Sequence, residues 1–448
     1  MNGENKRNDV IYQLDGKVPI DKAIPFGLQH ILAMFVANIA PIILVGGASK
    51  LEQNQIAALI QISMIVAGIG TLIQLYPIWR IGSGLPIVMG ISFTFVSISS
   101  FIGATYGYEA LVGAVLVGGI IEGLLGLCAK YWLKFITPIV SACVVTAIGF
   151  SLLGVGAASF GGGFGVQDFG SVTNWILGTI TLLTCILFNI FAKGFYKQLS
   201  VLVALVVGFI VAVFMGVADF NHVKEVPLIA LPQILPFTPE FNPSAIIAMT
   251  LIFFVSATET VGDTSAVAAS GLNRDVTQKE LSGSIAVDGF LSVFSSIFGC
   301  LPITSFSQNV GLVAMTHVVN RFAIATGALI MIAAGVFPIF GALLATLPEA
   351  VLGGCTIMMF GSIVISGFQM MSKCGYTQRN MTISALSLAI GLGFTSMPEI
   401  FNLFPQMVKN VFAENCVAVV FVIAMILNLI LPANMEVFEP EQEEFNQK

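Results

Sequence analysis

Four carboxylates lie inside otherwise apolar stretches of this chain, where a charge is costly. Glu259 and Asp263 occur in "SATETVGDTSA", Asp288 in "SIAVDGFLS" and Glu122 in "GGIIEGLLG". Glu259 and Asp263 are four residues apart, so on a helix they share one face. Two carboxylates on one face repel each other and lose hydration together, which suits a site that takes up and releases a proton near neutral pH. The alternative interpretation is that these carboxylates, Glu122 above all, only cap broken helices or connect neighbouring ones.

A second polar cluster contains two adjacent amides, Gln308 and Asn309, in "PITSFSQNVGLVAMT". Each amide offers both a donor and an acceptor, and leaving either unpaired in an apolar setting is expensive. His30, in "GLQHILAMF", is a further candidate, although a lone histidine in such a stretch is often only structural. Amides together with the Glu259 carboxylate suit a flat molecule edged with alternating N–H and C=O groups. That is the outline of a nucleobase.

The composition determines which class of protein must position these residues. Of 448 residues, 56% are hydrophobic and 9% are charged, which predicts a polytopic membrane protein embedded in a lipid bilayer. The net charge of −6 gives no sign of a nucleic-acid partner. The seven cysteines show neither metal-ligand spacing nor a disulfide framework, so we expect no metal and no cofactor apart from a coupling proton. The N-terminus lacks the features of a signal peptide and is expected to stay in the cytoplasm.

About fourteen membrane spans follow from the lengths of the apolar stretches and from the breaks between them. The positive-inside rule places fifteen of the 18 Lys and Arg residues on the cytoplasmic side, with both termini, and leaves Lys50, Lys224 and Lys409 outside. The predicted spans are 24–47, 55–76, 85–102, 108–128, 137–155, 174–192, 199–217, 244–269, 281–300, 302–318, 322–345, 348–370, 380–394 and 414–431.

Two of these spans are short and interrupted, and they resemble each other. "GLPIVMGISFTFV" at 84–96 shares Leu-Pro-Ile with "CLPITSFSQNVGL" at 300–312, and each opens the third span of its seven-span half. Because seven is odd, the two halves must have opposite orientations, and paired broken spans indicate a binding site near the bilayer midplane. After Pro86 and Pro302 we expect a short extended piece that leads into a half-helix. The N-terminus of each half-helix then points its positive dipole at the centre.

Small and amide residues in the other spans indicate close helix packing. Asn38 is expected to hydrogen-bond a neighbouring helix. Gly113, Gly118, Gly119 and Gly123 recur along one span, and we expect them to let two backbones approach closely.

The segment "QNVGLVAMT", from Gln308 to Thr316, resembles the signature Gln-Asn-x-Gly-x-x-x-x-Thr of the nucleobase/ascorbate transporters, also called the nucleobase:cation symporter-2 family. "ATETVGD" at 257–263 is similar to the eighth-span motif of the xanthine and uric acid permease branch, whereas the uracil branch has His after the Glu. "VDGFLSVFSSIF" and "PEAVLGGCTIMMFGSIVISG" resemble the ninth and twelfth spans. His317 stands where the family usually has Arg, Lys or Gly, so we expect a difference in fine specificity there.

The resemblance implies an all-α polytopic fold of 14 spans, arranged as a 7+7 inverted repeat with core and gate domains and short β-strands in spans 3 and 10. It also implies a homodimer in the cell (plasma) membrane. With the predicted spans, this fold implies a core domain at 24–128 and 244–345 and a gate domain at 137–217 and 348–431. A cytoplasmic N-terminal tail at 1–23 precedes them, and an acidic cytoplasmic tail at 432–448 follows them.

The resemblance also implies a role for each candidate site residue in substrate binding. Glu259 resembles the carboxylate that hydrogen-bonds the purine ring, and Gln308 resembles its amide partner. Asn309 resembles the residue that shapes the pocket. Phe93 resembles the third-span aromatic that contacts the base, and His30 the first-span histidine that affects affinity.

Proton coupling is implied for the carboxylates. Asp288 resembles the ninth-span acid required for transport, Asp263 matches the second acid of the eighth span, and Glu259 is expected to join them. Most members of the family move a base with a proton, and some animal members use sodium instead.

The sequence therefore predicts a secondary active transporter, not an enzyme, that imports a purine such as xanthine or uric acid by proton symport with alternating access. One alternative is a permease for uracil or another nucleobase. Another is an anion transporter or channel of the related fold, which should carry Arg or Lys at the midplane of spans 3, 8 or 10, where this chain has none. A membrane hydrolase would need a nucleophile with a base or a metal cluster, and one deep histidine with dispersed cysteines does not supply that.

Overall fold

The computed structural model is mostly helical and describes residues 10–432, with the exception of 164, 194, 219, 221, 222, 224–228, 230, 231 and 414. Residues 1–9 of the predicted N-terminal tail and 433–448 of the acidic tail lie outside this description. Lys224, which the positive-inside rule placed on the outer side, also lies outside the described residues.

The elements of the first half come in the order helix, helix, strand, then five helices. They are α1 Ile20–Ala48, α2 Gln53–Leu75, β1 Met89–Ile91, α3 Val96–Tyr106, α4 Tyr108–Leu127, α5 Pro138–Phe160, α6 Val172–Phe191 and α7 Ser200–Phe214. Two short helices, Ala129–Trp132 and Phe195–Gln198, lie in connections, and short 3₁₀ turns cover Val10–Tyr12, Phe93–Phe95 and Leu133–Phe135.

The second half repeats this order if the bent pair of helices Arg321–Val336 and Pro338–Ala345 is counted as one element. Its elements are α8 Pro243–Leu272, α9 Gln278–Ile297, β2 Ile303–Ser305, α10 Ser307–Thr316, α11 Arg321–Val336, α12 Pro338–Ala345, α13 Glu349–Cys374, α14 Gln378–Thr395 and α15 Cys416–Ile430. A 3₁₀ turn at Pro398–Phe401 and a short helix at Gln406–Phe412 precede α15.

Local sequence signals start several of these helices. The side chain of Asn242 accepts from the backbone N–H groups of the first turn of α8, and Pro243 takes the first helical position, where a missing N–H costs nothing. Thr277 and Glu280 form a reciprocal capping box at the start of α9. These capping residues lie in the predicted connections between spans, where their side chains bond the free backbone N–H groups of the first helical turn.

Every predicted span coincides with a helix, with a helix that follows a strand, or with a pair of helices. Within the described ranges, seven helices are long and apolar enough to cross a bilayer, or eight if the bent pair α11–α12 forms one span. Three further apolar helices, among them α7 and α15, are shorter. The number of fourteen spans therefore stays a prediction.

The eleventh predicted span, 322–345, is not one straight helix. It breaks at Phe337, where α11 ends and α12 begins at an angle of 78°. Pro338 explains the break, because it lacks the N–H that would continue α11 and it holds the preceding residue in an extended conformation, with φ −101° and ψ 99° at Phe337.

The two strands confirm the predicted extended pieces and join the two halves of the chain. β1 and β2 pair antiparallel, with Met89 opposite Ser305, Gly90 opposite Thr304 and Ile91 opposite Ile303. All six residues are buried. An isolated pair of three-residue strands is not stable by itself, so the surrounding helices must hold it.

Side chains of three neighbouring helices bond several outward-facing backbone groups of this small sheet. Asn38 of α1 accepts from the Ile91 N–H at 2.8 Å, and Thr71 of α2 accepts from the Met89 N–H at 3.0 Å. On the other edge, Ser292 of α9 accepts from the Ile303 N–H at 3.0 Å and donates to its C=O at 3.1 Å. The predicted hydrogen bond of Asn38 to a neighbouring helix is also present, to Ser63 at 3.3 Å.

The helices pack in two groups. α1, α2, α3 and α4 pack with α8, α9, α10 and α11, while α5, α6 and α7 pack with α13, α14 and α15. The two strands lie within the first group. The division into a moving core and gate with the stated boundaries remains a prediction.

Glycines allow the close contact between α4 and α9, as the sequence predicts. A Cβ on Gly289 would lie 2.0 Å from the Gly123 nitrogen, and one on Gly119 would lie 2.8 Å from the Gly289 carbonyl oxygen. A Cβ on Gly118 would also clash with the Phe253 ring, and a Cβ on Gly113 would clash with the backbone of Glu240. The backbones of α4 and α9 therefore touch.

We predict that Asn38→Ala destabilises the protein, because it leaves the buried Ile91 N–H without an acceptor. Such a loss costs about 1–3 kcal/mol. Thermal unfolding in detergent should show a lower midpoint than for wild type. Asn54→Ala, an exposed position at the start of α2, is the control and should leave the midpoint unchanged. Equal midpoints for the two variants would contradict this role of Asn38.

Candidate functional site

The candidate site lies where the two strands lead into half-helices. β1 continues through the 3₁₀ turn Phe93–Phe95 into α3, and β2 continues through Phe306 into α10. The first backbone N–H groups of each half-helix have no partner within the helix and carry its positive dipole. At the first of these turns, the Ser92 hydroxyl accepts from the Thr94 N–H at 3.1 Å.

Glu259 of α8 connects the two half-helices. Its Oε2 accepts a hydrogen bond from the Thr94 hydroxyl at 2.5 Å, and its Oε1 accepts a longer one from the Ser307 hydroxyl at 3.5 Å. The side chain is only partly buried. A single carboxylate therefore contacts both halves of the inverted repeat and remains open on one side.

Gln308 and Phe93 are the sequence neighbours of Ser307 and Thr94, the two residues whose hydroxyls donate to this carboxylate. Gln308 is exposed and has no hydrogen-bond partner among the described residues. Phe93 is buried, and its ring meets the ring of Phe360 on α13 edge to face, with centroids 5.2 Å apart. The site thus combines a carboxylate, an uncommitted amide and an aromatic wall.

Asn309 and His30 are hydrogen-bonded to each other. The Asn309 amide nitrogen donates to the His30 carbonyl oxygen at 2.9 Å and lies 3.2 Å from the His30 ring Nδ1. Both side chains are about 1% exposed, and the Asn309 Oδ1 has no partner. Their predicted contact with the substrate stays a prediction. Asn309 holds α10 against α1.

Asp263 lies one helical turn beyond Glu259 and accepts hydrogen bonds from two serines. Ser305 donates at 2.8 Å, and Ser307 donates to both carboxylate oxygens at 2.9 and 3.0 Å. Ser307 therefore contacts both acids of the predicted pair, which confirms that Glu259 and Asp263 share one helix face.

Asp288 of α9 is fully buried behind the strands. Its Oδ2 accepts hydrogen bonds from the hydroxyls of Thr260 and Thr304, the second at 2.9 Å, and its Oδ1 has no partner. Thr260 also lies 3.0 Å from the Thr304 hydroxyl and 3.4 Å from the Ser305 hydroxyl. Hydroxyl groups therefore connect all three carboxylates in one continuous network.

The hydroxyl residues of this network are the functional side chains that the sequence reasoning missed. The signal for them was present in "PITSFS", which carries three hydroxyls within six residues. Thr304 and Ser305 reach different acids, Asp288 and Asp263, and the Thr260 hydroxyl lies between them. Deriving that needed the strand assignment and the positions of α8 and α9.

Hydroxyls are the only side chains that contact the three carboxylates. In the part of the chain that the structure describes, no Lys or Arg forms an ion pair with Glu259, Asp263 or Asp288, and no group of His, Cys, Asp and Glu could hold a metal ion. Hydrogen bonds from hydroxyls can support a carboxylate without neutralising it, so a bound proton is the simplest way to remove the charge.

His317 lies at the opposite end of α10 from the site. It ends the helix in a left-handed conformation, with φ 56°, and its ring Nδ1 lies 3.2 Å from the Ser270 carbonyl oxygen. Nine residues of helix separate it from Gln308, or about 13.5 Å. Any effect of His317 on specificity must therefore be indirect.

Comparison with known proteins identifies relatives along most of the chain. A family model, Xan_ur_permease, described as a permease family, matches residues 21–400. The chain is 33% identical over 440 residues to the xanthine permease XanQ of Escherichia coli strain K12, covering 95% of this chain and 94% of XanQ. It is 36% identical over 379 residues to the uric acid permease PucK of Bacillus subtilis strain 168, covering 84% of this chain and 88% of PucK.

A solved structure confirms the fold. The transmembrane domain of a cyanobacterium bicarbonate transporter, BicA, superposes with a TM-score of 0.63 at 16% sequence identity, covering 91% of this chain and 100% of that one. The predicted inverted-repeat transporter fold is thereby confirmed, without the exact number of spans.

We predict that a cysteine at position 308 is accessible from water and that one at 309 is not. In a background with the seven native cysteines replaced, Gln308→Cys should react with a membrane-impermeant maleimide in right-side-out or inside-out vesicles. Asn309→Cys is the matched control and should not react, because residue 309 is buried against α1. Equal labelling of the two positions would contradict this geometry.

Proposed function

Because the chain belongs to the Xan_ur_permease family, the nucleobase/ascorbate transporters, we propose that it imports a purine base, xanthine or uric acid, together with a proton. It is a multi-pass membrane permease and not an enzyme. The observation that carries the proposal is the position of Glu259, which is hydrogen-bonded to Thr94 and Ser307 between the two half-helices. Gln308, which follows Ser307 in the chain, is exposed.

In this proposal the base binds by its polar edge. Ring N–H groups of a purinedione donate to Glu259, while the Gln308 amide pairs with a neighbouring C=O or N–H group. The free backbone N–H groups at the start of the half-helices favour a partial negative charge on the carbonyl oxygens. The Phe93 ring packs against the flat face of the base.

Asn309 and His30 act in this proposal as positioning residues. Their hydrogen bonds fix the first turn of α10 against α1, and the Gln308 amide projects from that turn. Substitution at Asn309 therefore changes specificity by moving Gln308, without a contact between Asn309 and the base.

Proton coupling follows from the network of hydroxyls and carboxylates. Three acids without a basic partner are costly to move through the bilayer in their charged form. A proton that binds before or with the base lowers that cost, so the loaded site can cross. Asp288 and Asp263 are the proposed coupling groups, together with Glu259.

Alternating access in this proposal is a movement of α1–α4 and α8–α11 against α5–α7 and α13–α15. The site lies on the first group, and the contact between Phe93 and Phe360 joins it to the second. That contact would have to break and re-form during each cycle. We further propose that the protein forms a homodimer in the plasma membrane with both termini in the cytoplasm, which the distribution of Lys and Arg supports.

The site favours a purine over the alternatives. The residue after Glu259 is Thr260, whose hydroxyl binds Asp288, where the uracil branch has a histidine. An anion transporter should place a cation in the site, and the described residues around Glu259 supply none. The likeness to BicA therefore extends to the fold and gives no support for bicarbonate transport.

We predict that cells expressing the protein, in a host without its own purine permeases, take up radiolabelled xanthine or uric acid. A protonophore should abolish accumulation, and unlabelled xanthine or uric acid should compete better than uracil, guanine or hypoxanthine. Uptake that ignores the protonophore and follows sodium would rule out the proton, and uracil as the strongest competitor would rule out the purine assignment.

We predict that Glu259→Gln and Gln308→Ala each weaken uptake strongly. A hydrogen bond to a charged group contributes about 1.5–3 kcal/mol, so Glu259→Gln should raise the concentration for half-maximal uptake about 10- to 100-fold. Glu399→Gln, at an exposed position, is the control and should behave as wild type. Normal uptake by Glu259→Gln, at equal amounts of protein in the membrane, would contradict the binding role.

A further inference from the structure

Glu122, in the middle of α4, is a buried acid that the binding site does not use. Its side chain is fully buried, and neither carboxylate oxygen makes a hydrogen bond. In the described ranges it is the only carboxylate of which both oxygens are buried and without a hydrogen-bond partner. A buried carboxylate without donors is very unfavourable when charged and tolerable when protonated.

Glu122 lies next to Asp288. The residues that follow each of them, Gly123 and Gly289, are in backbone contact between α4 and α9. The two acids therefore lie at the same level of two helices in contact, close enough to interact electrostatically.

Two hydroxyls lie between the two acids, and the link from Glu122 to the first of them is not closed by a hydrogen bond in this conformation. Ser256 of α8 lies beside Glu122 and donates to the Thr304 hydroxyl at 3.4 Å, and Thr304 donates to Asp288 at 2.9 Å. Side chains of this kind can pass a proton along their hydrogen bonds by rotating.

No basic group compensates the pair from the helices that surround it. α8 contributes Glu259 as a weaker electrostatic neighbour, α9 contributes Asp288, and α3 carries no acidic or basic side chain. The nearest basic side chain bonded to α4 is Arg80, which donates to the Leu127 carbonyl oxygen. That is five residues beyond Glu122, or about 7.5 Å along the helix.

We propose that Glu122 is a second proton-binding site, which exchanges one proton with Asp288 during transport. The inference rests on the proposed proton symport. In the conformation described, two hydroxyls donate to Asp288 and stabilise its charged form, while Glu122 without donors holds the proton. When Glu122 donates to Ser256, the Ser256 proton passes to Thr304 and the Thr304 proton passes to Asp288. The O–H bond of Glu122 breaks, an O–H bond forms at Asp288, each hydroxyl regains the proton that it gives, and the charge moves to Glu122. No other reactant is needed.

The test compares two activities of the reconstituted protein. Accumulation of labelled base against its gradient needs net proton movement, whereas exchange of labelled for unlabelled base does not. Glu122→Gln, neutral and nearly the same shape, should keep exchange within about twofold and lower the accumulation ratio at least about tenfold, the factor that corresponds to about 1.4 kcal/mol. Glu122→Asp, which can still bind a proton, should keep both activities.

Glu109→Gln, at an exposed position on the same helix, is the matched control and should behave as wild type. Unchanged accumulation by Glu122→Gln overturns this inference alone, and so does loss of exchange in both Glu122 variants, which would mean a purely structural role. If Glu122→Gln does not reach the membrane, Ser256→Ala decides, since normal accumulation in that variant contradicts the proton route. Failure of the wild type to accumulate any purine overturns the proposed function together with this inference.

Discussion

Backbone hydrogen bonding inside an apolar solvent is the constraint on which the rest of this structure depends. Two chain segments run extended at depth, where water cannot satisfy their N–H and C=O groups and each unpaired group costs several kcal/mol. The strands pair with each other, and Asn38, Thr71 and Ser292 accept from three of the outward-facing N–H groups. Each of these three side chains comes from a different helix, so the small sheet fixes the relative positions of α1, α2 and α9.

The same constraint creates the site. Because the chain must leave each strand through a new helix start, two sets of unpaired N–H groups arise near the centre of the protein. Glu259 accepts from a hydroxyl on each side of this junction, and so one carboxylate joins the two halves of the repeat. The inverted repeat is therefore more than a symmetry of the fold, since neither half alone contains the site.

Electrostatics in the site depends on hydroxyls and not on ion pairs. Thr and Ser side chains supply donors to Glu259, Asp263 and Asp288, and they bring no positive charge. Such groups support a carboxylate in either protonation state, because a hydroxyl can donate to the ionised form and accept from the neutral form. A lysine in their place would hold the carboxylate permanently charged. This property makes the arrangement suited to a proton that binds and leaves in each cycle.

The sequence by itself determined the class of protein and the broken pair, because apolar length, charge and proline act locally and leave a direct record. It also identified Glu259, Asp263, Asp288 and Gln308 as unusual, since charged and amide groups are rare in such stretches. It could not show that Asn309 hydrogen-bonds His30, that the chain bends at Phe337 between α11 and α12, or that Glu122 lies near Asp288. Those facts depend on which residues of distant segments meet, over separations such as the 279 residues between His30 and Asn309, and only the tertiary structure decides them.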